Sequence, residues 1–450
     1  MSSRNISIFG LGYVGLCTAV SFGQKGIKTI GVDVDTIKVK NLSEGKAPII
    51  EEGLEEALHS TLAKGTFHVT TDPRQAVGES DTSFITVGTP SRPDGSIDLQ
   101  YVKFVSKAIG EALKEKEDYH LIVMKSTVVP GTSLNLVKPQ LEKHSGKRCS
   151  QGFGLCMNPE FLQEGSALRD AMNPDRIIIG EHDKRSGDIL EEFYRRLHGK
   201  ETPPIIRTNL SNAEMIKYAN NAFLATKISF INTIANICNK TPEADVTVVA
   251  KGIGLDHRIS PRFLNAGLGY GGSCFPKDVE ALIAYSKGLG YKPQLLEATE
   301  EVNHLQPLRA VGMLKDLVGD VKGKRFAILG LAFKPGTDDM REAVSIKIIE
   351  KLLGEGAEVS AYDPQAKENA KKIFGERITY ASSMPSCLRG ADGCVIVTEW
   401  NEFEMLKPED LNDMRIAILV DGRRISDSEK FRGEVIYAAI GLGPKKVKLN

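Results

Sequence analysis

The sequence predicts an α/β protein with two doubly wound domains, each a mostly parallel sheet with helices on both faces, joined by a long central helix. Three observations indicate this class. Short apolar runs alternate with helical patterns over residues 5–158, and a second alternation starts at residues 324–333. Such alternation is typical of parallel sheets covered by helices. Between the two regions, residues 211–240 contain neither glycine nor proline.

The strands and helices follow from these patterns. An apolar strand over 5–10 leads into a helix that extends to about residue 24. In the second alternation, a helix is expected over about 341–353. The remaining predicted strands are 28–35, 82–88, 120–126, 152–158, 324–333, 356–364, 391–400 and 414–423.

Residues 211–240 predict one helix of roughly 45 Å. Ser211 and Glu214 have the spacing of a capping box, and a helix of this length is typical of a domain connector or a dimer spine. We therefore expect an N-terminal domain over 1–205, a central helical domain over 206–315 and a C-terminal domain over 316–450. Residues 443–450 have the composition of a solvated tail. The apolar residues that recur at helical spacing are Met215, Ala219, Ala222, Phe223, Phe230, Ile234 and Ile237.

Composition limits the class of partner. The 450 residues include 58 Lys+Arg and 58 Asp+Glu, so the formal net charge is zero, which argues against nucleic acid or an acidic membrane surface as the main partner. The seven cysteines form no CxxC pair, and no apolar run approaches the ~18 residues of a membrane span. The histidines show no metal-binding spacing. We expect a cytoplasmic protein without a membrane, nucleic-acid or metal partner.

A glycine motif at the N-terminus predicts a dinucleotide site. Gly10, Gly12 and Gly15 form GxGxxG between a predicted strand and a predicted helix. In this motif the first glycine makes the turn, the second admits a pyrophosphate and the third lets helix and strand pack closely. Asp33 ends the next strand, where a carboxylate holds a ribose 2′-hydroxyl and disfavours a 2′-phosphate. The pattern therefore predicts a Rossmann-like domain that binds NAD. A glycine-rich turn without ligand is the alternative.

A second cluster indicates thiol chemistry. Cys274 lies in the glycine-rich stretch "GYGGSCFPKD", and Asp278 follows four residues later. Lys217 and Asn221 are four apart on the predicted long helix, so they share a face that could stabilise an oxyanion. With Glu160 and Glu164 these residues would suit an NAD enzyme that oxidises an aldehyde through a thioester.

Simpler explanations exist for each of these residues. Cys274 could be a small core residue. Lys217 and Asn221 could form a solvated helix face, and Glu160 and Glu164 could be surface acids. Three other cysteines, Cys17, Cys156 and Cys394, lie in apolar elements and are predicted to be buried.

Seven segments together resemble the UDP-glucose/GDP-mannose dehydrogenase family. They are "GLGYVG", "VDVD", "KSTVVPGT", "NPEFLQEGSA", "NAEMIKYANNAF", "RFLNAGLGYGGSCFPKDV" and "GLAFKPGTDDMREAVS", in family order across nearly the whole chain. The resemblance implies two Rossmann-like domains joined by a long helix at a dimer interface. It also implies a four-electron reaction, in which UDP-glucose, two NAD+ and water give UDP-glucuronate and two NADH. The second domain, which lacks GxGxxG, would hold UDP.

The resemblance also implies roles for individual residues. Cys274 would form a thiohemiacetal and then a thioester, Lys217 and Asn221 would hold the oxyanion, and Asp278 would help proton transfer. Glu160 is the implied base for hydrolysis, and Thr127 lies near the active-site water. Residues implied in NAD binding are Gly10, Gly12, Val14, Gly15, Asp33, Lys38, Thr89, Thr127, Glu164, Lys277 and Arg341. Residues implied in substrate binding are Glu160, Phe161, Leu162, Gln163, Glu164, Lys217, Asn221, Arg258, Phe263, Leu264, Asn265, Ala266, Gly267, Gly271 and Lys334. Arg258 matches an arginine that enters a neighbouring subunit's site, so at least a homodimer is implied.

Other functions compete with this one. The same chemistry could act on UDP-N-acetylmannosamine or GDP-mannose. The segment "NPEF" with the Glu-containing loop after it favours UDP-glucose or GDP-mannose over UDP-N-acetylmannosamine, and "GYGGSCFPKD" favours UDP-glucose. A non-catalytic protein that binds NAD or a nucleotide sugar would not need Cys274, Lys217, Glu160 and Asp278 together. A two-electron dehydrogenase of the hydroxyacid or 6-phosphogluconate type would need neither the thiol nor a second α/β unit.

Overall fold

The computed structural model describes residues 5–431, 433 and 435–444. The chain divides into two compact units, one ending at Asn220 and one beginning at Asn221. Of the predicted tail, residues 445–450 lie outside the described residues. None of the helices within the described residues is both long and apolar enough to cross a membrane.

The first unit is built on one large sheet. Its strands are β1 Ile6–Phe9, β2 Thr29–Val32, β3 Phe67–Thr70, β4 Thr82–Ile85, β5 His120–Met124, β6 Phe153–Met157, β7 Ile177–Glu181 and β8 Ile205–Asn209. Its helices are α1 Tyr13–Gln24, α2 Thr36–Ser43, α3 Leu54–Ala63, α4 Pro73–Gly78, α5 Gln100–Leu113, α6 Lys138–Ser145, α7 Ala167–Met172 and α8 Lys184–His198.

The strand order in this sheet is β3-β2-β1-β4-β5-β6-β7-β8. The first six strands are parallel, β7 is antiparallel to β6, and β8 is parallel to β7. Every residue of β1, β4, β5 and β6 is buried, as expected for strands covered by helices on both faces. The order reverses between β1 and β4, which is where nucleotides bind in open α/β sheets.

The second unit contains a smaller parallel sheet. Its order is β11-β10-β9-β12-β13-β14, and every neighbouring pair is parallel. Its strands are β9 Arg325–Leu329, β10 Glu358–Tyr362, β11 Thr379–Tyr380, β12 Gly393–Ile396, β13 Ile418–Asp421 and β14 Ile436–Ala439. Its helices are α10 Val246–Gly254, α11 Phe275–Gly288, α12 Gln294–Leu305, α13 Leu308–Val318, α14 Val344–Gly354, α15 Lys367–Phe374, α16 Met384–Leu388 and α17 Asn401–Glu404.

The predicted long helix is present as α9, Leu210–Cys238. Its predicted capping box is wrong. Asn209 Oδ1 accepts from the Asn212 amide at 2.8 Å, so Asn209 rather than Ser211 satisfies an orphan amide of the first turn. The Glu214 carboxylate accepts instead from the amides of Gly131 and Ser133, at 2.6 and 2.8 Å. Two hydrogen bonds from the amides of another segment stabilise the Glu214 carboxylate more than a single capping bond at the helix surface would.

A second correction concerns the helix predicted to begin at about residue 341. Helix α14 begins at Val344, because Glu342 has a left-handed φ of 51° that a helix cannot contain.

Candidate active site

The three motif glycines have different steric environments at the β1–α1 turn. Gly10 has a left-handed φ of 97°, and a Cβ there would lie 2.9 Å from the Val87 side chain. At Gly15 a Cβ would collide with the carbonyl oxygen of Gly10, whereas at Gly12 it would meet nothing within 4 Å. Gly12 caps α1 without a side-chain hydrogen bond. The turn therefore leaves open space at a helix N-terminus, which suits a pyrophosphate.

Asp33 lies at the end of β2, beside this turn. Its Oδ2 accepts from the Leu11 amide at 2.9 Å and from Lys38 Nζ at 2.8 Å. Burial acts to raise the pKa of Asp33, but the bonds from Lys38 and from the Leu11 and Asp35 amides outweigh it, and the pKa is lowered. The carboxylate is therefore ionised at neutral pH, as an acceptor for ribose hydroxyls must be.

Thr89 and Thr127 lie at the carboxyl edge of the same sheet. The Thr89 hydroxyl donates to the Thr127 carbonyl at 2.9 Å, which ties the segment after β4 to the segment after β5. Val14 lies half-buried in the first turn of α1. The β1–α1 glycine turn, Asp33 and the Thr89–Thr127 edge of the sheet thus fit NAD.

Glu160 and Lys217 form a buried ion pair. Glu160 Oε1 accepts from Lys217 Nζ at 3.1 Å, and the two side chains are 8% and 5% exposed. Glu160 Oε2 also accepts from the Leu162 amide at 2.6 Å. Burial acts to raise the pKa of Glu160, but the charge of Lys217, the Leu162 amide and the charge of Lys125 together lower it. Lys217 therefore does not lie on a solvated helix face, and Glu160 is not a surface acid.

Lys125 is a buried charged residue that the sequence patterns did not predict. Its Nζ donates to Asn158 Oδ1 at 2.9 Å, and Tyr194 donates to the same oxygen at 2.5 Å. Burial lowers the pKa of Lys125 to about 8, while the charge of Glu160 opposes this shift. The available signal was a lysine that directly follows the five buried residues of β5.

The loop after Glu160 packs against cationic side chains. The Arg176 guanidinium lies 3.8 Å from the centre of the Phe161 ring, and Arg176 also donates to Asn220 at 2.7 Å. The Gln163 amide donates to Asp170 at 3.0 Å. Leu162, Gln163 and Glu164 lie on the same loop, which is half-buried to exposed.

Cys274 differs from the other six cysteines, which are all buried, because it is exposed. It is the N-cap residue of α11, and a thiol at a helix N-terminus is stabilised as the thiolate. The Ser273 hydroxyl lies 3.6 Å from its Sγ. The thiol is therefore accessible rather than a core residue.

The glycines before Cys274 are required by close packing. A Cβ at Gly271 would collide with the carbonyl oxygen of Glu342, and a Cβ at Gly272 would lie 2.6 Å from the Phe333 ring. The Gly272 amide donates to the Arg341 carbonyl at 2.9 Å. The loop therefore lies tightly against the segment after β9.

Asp278 joins Asn221 and Lys277 one turn beyond the cysteine. Asp278 Oδ2 accepts from Asn221 Nδ2 at 2.6 Å, and Oδ1 accepts from Lys277 Nζ at 2.5 Å. Asn221 and Asp278 are buried, at 5% and 1% exposure. The helix-face explanation for Asn221 is thus excluded as well.

The remaining predicted substrate residues lie in the second unit. Phe263 has a left-handed φ of 64°. Leu264, Ala266 and Gly267 are buried, and Asn265 is exposed. Lys334 Nζ lies 5.5 Å from the centre of the Phe333 ring.

Two predicted arginines pair with nearby aspartates. Arg258 is exposed and chelates Asp256, with Nη2–Oδ2 at 2.6 Å. The Arg341 guanidinium likewise pairs with Asp339.

The predicted residues thus form two groups. The first unit brings together the glycine turn with Asp33 and Lys38, and Glu160 with Lys217. The second unit brings Asn221, Lys277 and Asp278 together on and beside α11, with Cys274 at its start. Lys217 and Asn221 are one turn apart on the same helix. Their predicted roles, like the predicted domain boundaries, stay predictions.

Two Rossmann-like sheets, a glycine turn with its acid and an exposed thiol define a nicotinamide-dependent dehydrogenase. Residues 4–198 match the NAD binding domain of the UDP-glucose/GDP-mannose dehydrogenase family, residues 211–305 its central domain and residues 327–428 its UDP binding domain. The chain belongs to this family, which confirms the resemblance and the NAD prediction.

Individual relatives agree. UDP-glucose 6-dehydrogenase AglM of Haloferax volcanii is 46% identical over 93% of this chain and 96% of its own. UDP-glucose 6-dehydrogenase TuaD of Bacillus subtilis is 43% identical over 97% of this chain and 93% of its own. The solved structure of a UDP-glucose dehydrogenase from Pyrobaculum islandicum matches with a TM-score of 0.91 and 39% identity, over 98% of each chain.

Proposed function

We propose that this protein oxidises UDP-glucose at C6 to UDP-glucuronate in two successive NAD+-dependent steps, with Cys274 as the nucleophile. One observation carries the proposal. Cys274 is the single exposed thiol among the seven cysteines. It is the N-cap residue of α11, and it follows a loop in which Gly271 and Gly272 leave no room for a side chain. A structural cysteine needs neither exposure nor such a loop. Two NAD+ molecules, bound one after the other, would each supply the hydride acceptor for one oxidation.

Cys274 acts after the first oxidation. The thiolate attacks the C6 aldehyde and forms a thiohemiacetal, whose oxidation gives a thioester. The N-terminus of α11 favours the thiolate form that this attack requires. Water then cleaves the thioester and releases the carboxylate and the thiol.

The charged neighbours have complementary roles in this scheme. Lys217 and Asn221 donate hydrogen bonds to the oxyanion that develops at C6. The ionised Glu160 accepts a proton from the water that attacks the thioester. Asp278, held by Asn221 and Lys277, stays in place to move protons through an ordered water.

The second sheet is the proposed site for the UDP group. Residues 327–428 match a UDP binding domain. At the β9–α14 turn, Asp363 Oδ2 accepts from the Leu331 and Ala332 amides, at 2.7 and 3.0 Å. This repeats the contact between Asp33 and Leu11 without the GxGxxG motif, and so supports a nucleotide site of a different kind. We propose UDP-glucose rather than GDP-mannose as the substrate because both relatives described above are named UDP-glucose 6-dehydrogenase.

The test is the number of NADH molecules released per sugar. Purified protein is given limiting UDP-glucose and excess NAD+, and NADH is counted at completion. Two NADH per sugar are expected. One NADH would place the end point at the aldehyde and remove the role of Cys274. If none is released, UDP-N-acetylmannosamine and GDP-mannose are tried next.

A Cys274→Ser variant separates an enzyme from a binding protein. The enzyme should lose turnover by roughly 10³-fold or more because its nucleophile is gone, while UDP-glucose still binds in a calorimetric titration. Cys238→Ser, which changes a buried cysteine at the end of α9, is the matched control and should keep turnover. Equal turnover in all three proteins would contradict the thiol mechanism.

We also propose that the protein acts as a homodimer through α9. Exposed side chains on this helix include Phe223, Phe230 and Ile237, at 66%, 51% and 57% exposure. They recur every seven residues, the spacing of a coiled-coil seam. Large apolar side chains in such a row mark an interface between chains.

A charge at the centre of this seam tests the dimer. Phe230→Glu should convert the dimer to a monomer in analytical ultracentrifugation, because burying an unpaired carboxylate at an interface is unfavourable. Lys240→Glu, just beyond the helix, is the control and should leave the dimer intact. A wild-type protein that sediments as a monomer would rule the proposal out.

A further inference from the structure

Before Cys274, the residues Gly267–Tyr270 form a segment whose backbone is held by buried side-chain amides. The Tyr270 amide donates to Asn303 Oδ1 at 2.8 Å, and Asn303 Nδ2 donates to the Tyr270 carbonyl at 3.0 Å. One side chain thus satisfies both polar groups of one residue. Asn303 is 6% exposed and lies on α12.

Two more amide side chains hold the start of the segment. Gln306 Nε2 donates to the Gly267 carbonyl at 2.8 Å, and the Gly267 amide donates to Asn232 Oδ1 at 2.8 Å. Asn236 in turn donates to Gln306 Oε1 at 2.9 Å. Gln306 and Asn232 are 1% and 0% exposed. We call Asn232, Asn303 and Gln306 the amide clamp.

The clamp is matched to the glycine beside it. Gly269 has a left-handed φ of 96°, and a Cβ there would lie 2.6 Å from Asn303 Oδ1. Its carbonyl accepts from Arg423 at 3.1 Å. Glycine is the residue with the most backbone freedom to lose, so a segment this rich in glycine needs external partners to hold one conformation.

We propose that Asn303, assisted by Gln306 and Asn232, is a positioning residue that fixes the approach of the Cys274 thiol to the reacting carbon. This inference rests on the proposed function, in which Cys274 is the nucleophile. Attack requires the reacting atoms at about 3–3.5 Å, and a small displacement of the nucleophile reduces the rate steeply. The clamp holds the chain four residues before the thiol, and the bond from the Gly272 amide to Arg341 holds it between these points.

The Asn303→Asp variant tests this with nearly no change in shape. An ionised carboxylate still accepts from the Tyr270 amide but repels the Tyr270 carbonyl, whereas a protonated carboxyl group can make both bonds. Burial raises the pKa of the new carboxyl group. The kcat relative to wild type should therefore fall at least tenfold at pH 8.5 and recover at least threefold at pH 6.

Several titratable or charged groups face the same region, so each value is taken relative to wild type at the same pH. Tyr270 on the loop donates to Glu300 of α12 at 2.5 Å, and Arg423 donates to Gly269. Glu280, Glu342 and Lys347 lie near Glu300, and His304 contacts Lys347. All of them are unchanged in the variant.

Asn239→Asp is the matched control. Asn239 Oδ1 accepts from the Gly441 amide at 2.8 Å, and its Nδ2 donates to the carbonyls of Ala439 and Leu442. It therefore makes the same kind of clamp on a segment that carries no catalytic residue. Its kcat should stay within twofold of wild type at both pH values.

Hydrogen–deuterium exchange reports the clamp without any turnover. Peptides covering residues 267–274 should exchange at least tenfold faster in Asn303→Asp at pH 8.5 than in wild type, and should be unchanged in Asn239→Asp. If Asn303→Asp does not fold, Gln306→Met keeps the volume, removes the bond to Gly267 and takes its place.

The outcomes are distinct. Faster loop exchange with kcat within twofold of wild type, or unchanged loop exchange, would overturn the positioning role alone. A loss of kcat in Asn239→Asp equal to that in Asn303→Asp would also overturn it. A Cys274→Ser variant that keeps turnover would instead overturn the proposed function, and the positioning role with it.

Discussion

Glu160 and Lys217 depend on each other because almost no water reaches either side chain. Removing one partner of a buried ion pair leaves the other charge unsolvated, at a cost of about 3–5 kcal/mol. Lys125 adds a second positive charge that interacts with Glu160, so the Glu160 carboxylate stabilises both ammonium groups. The charge of Glu160 thus acts on two buried ammonium groups, which argues for a role beyond stability.

Replacing Glu160 with Gln tests that role. The amide keeps the volume and can still accept from Leu162, but it cannot take a proton from water. We expect kcat to fall by roughly 10²–10⁴-fold. Because hydrolysis is the impaired step, an adduct on Cys274 should accumulate and be visible by intact-protein mass spectrometry.

Glu142→Gln is the control for this variant. The Glu142 carboxylate also accepts from one amide, that of Cys149, and one lysine, Lys138. Its replacement should lower stability slightly and leave kcat unchanged. A Glu160→Gln variant that turns over without an adduct would contradict the assignment of Glu160 as the hydrolytic base.

Glu300 predicts a pH dependence of stability. Burial, with the charges of Glu280 and Glu342, raises its pKa to about 7. Between the ordinary value of 4.5 and 7, the folded state binds more protons than the unfolded state. Stability from this group is therefore present below pH 4.5 and lost as pH rises through 7.

The Glu300→Gln variant should remove that loss. The amide oxygen still accepts from Tyr270 and does not titrate. Urea unfolding of wild type from pH 5 to pH 7.5 should show a decline in unfolding free energy that is smaller in the variant, by an amount on the order of 3 kcal/mol at most. Glu297→Gln, on the same helix, alters a carboxylate whose pKa is lowered and should not flatten the profile. Parallel profiles for wild type and Glu300→Gln would show that Glu300 is ionised in the folded protein.

Among the structural elements, the β1–α1 turn allows NAD+ binding and protein stability to be tested by separate glycine substitutions. Ala at Gly12 meets no atom within 4 Å, whereas Ala at Gly15 collides with the Gly10 carbonyl. Gly12→Ala should therefore keep the melting temperature and weaken NAD+ at least tenfold in a calorimetric titration, because the methyl group occupies the open space. Gly15→Ala should lower the melting temperature. Unchanged NAD+ affinity in Gly12→Ala would place the pyrophosphate elsewhere.

Elements whose signals are local could be predicted from the sequence. The glycine turn, Asp33 and helix α9 each depend on residues within one short segment, and the structure contains all three. The antiparallel β7 and the edge strands were not predicted, because strand direction is set by partners distant in the chain. The capping box at Ser211 was wrong for the same reason, since Glu214 found its partners in residues 131–133.

The candidate site could be predicted only in part. Cys274 and the Lys217–Asn221 pair stand out by residue type and spacing. Asn303 and Lys125 do not, because a buried amide or ammonium is recognised by its partners. Asn303 contacts Tyr270 across 33 positions, and Lys125 contacts Asn158 across 33 positions.

For the molecule as a whole, the proposed dimer would pair two chains through the exposed seam of α9, and the exposed Arg258 would then be available to the partner chain. Arg258 is 77% exposed, and Asp256 holds its guanidinium in a fixed orientation. An exposed guanidinium in a fixed orientation loses little conformational entropy when it binds another surface. In a symmetric dimer, each chain would present its Arg258 to the partner's substrate.

Paired variants test whether Arg258 acts on the neighbouring chain. Arg258→Ala and Cys274→Ser homodimers should each have little turnover. In a heterodimer of the two, purified through two different tags, one site combines the intact thiol with the intact arginine of the other chain. Its turnover should therefore be about half that of wild type. If Arg258 served its own chain, neither site would be complete and the heterodimer would stay inactive. Arg262→Ala in place of Arg258→Ala is the control, and its homodimer should keep turnover.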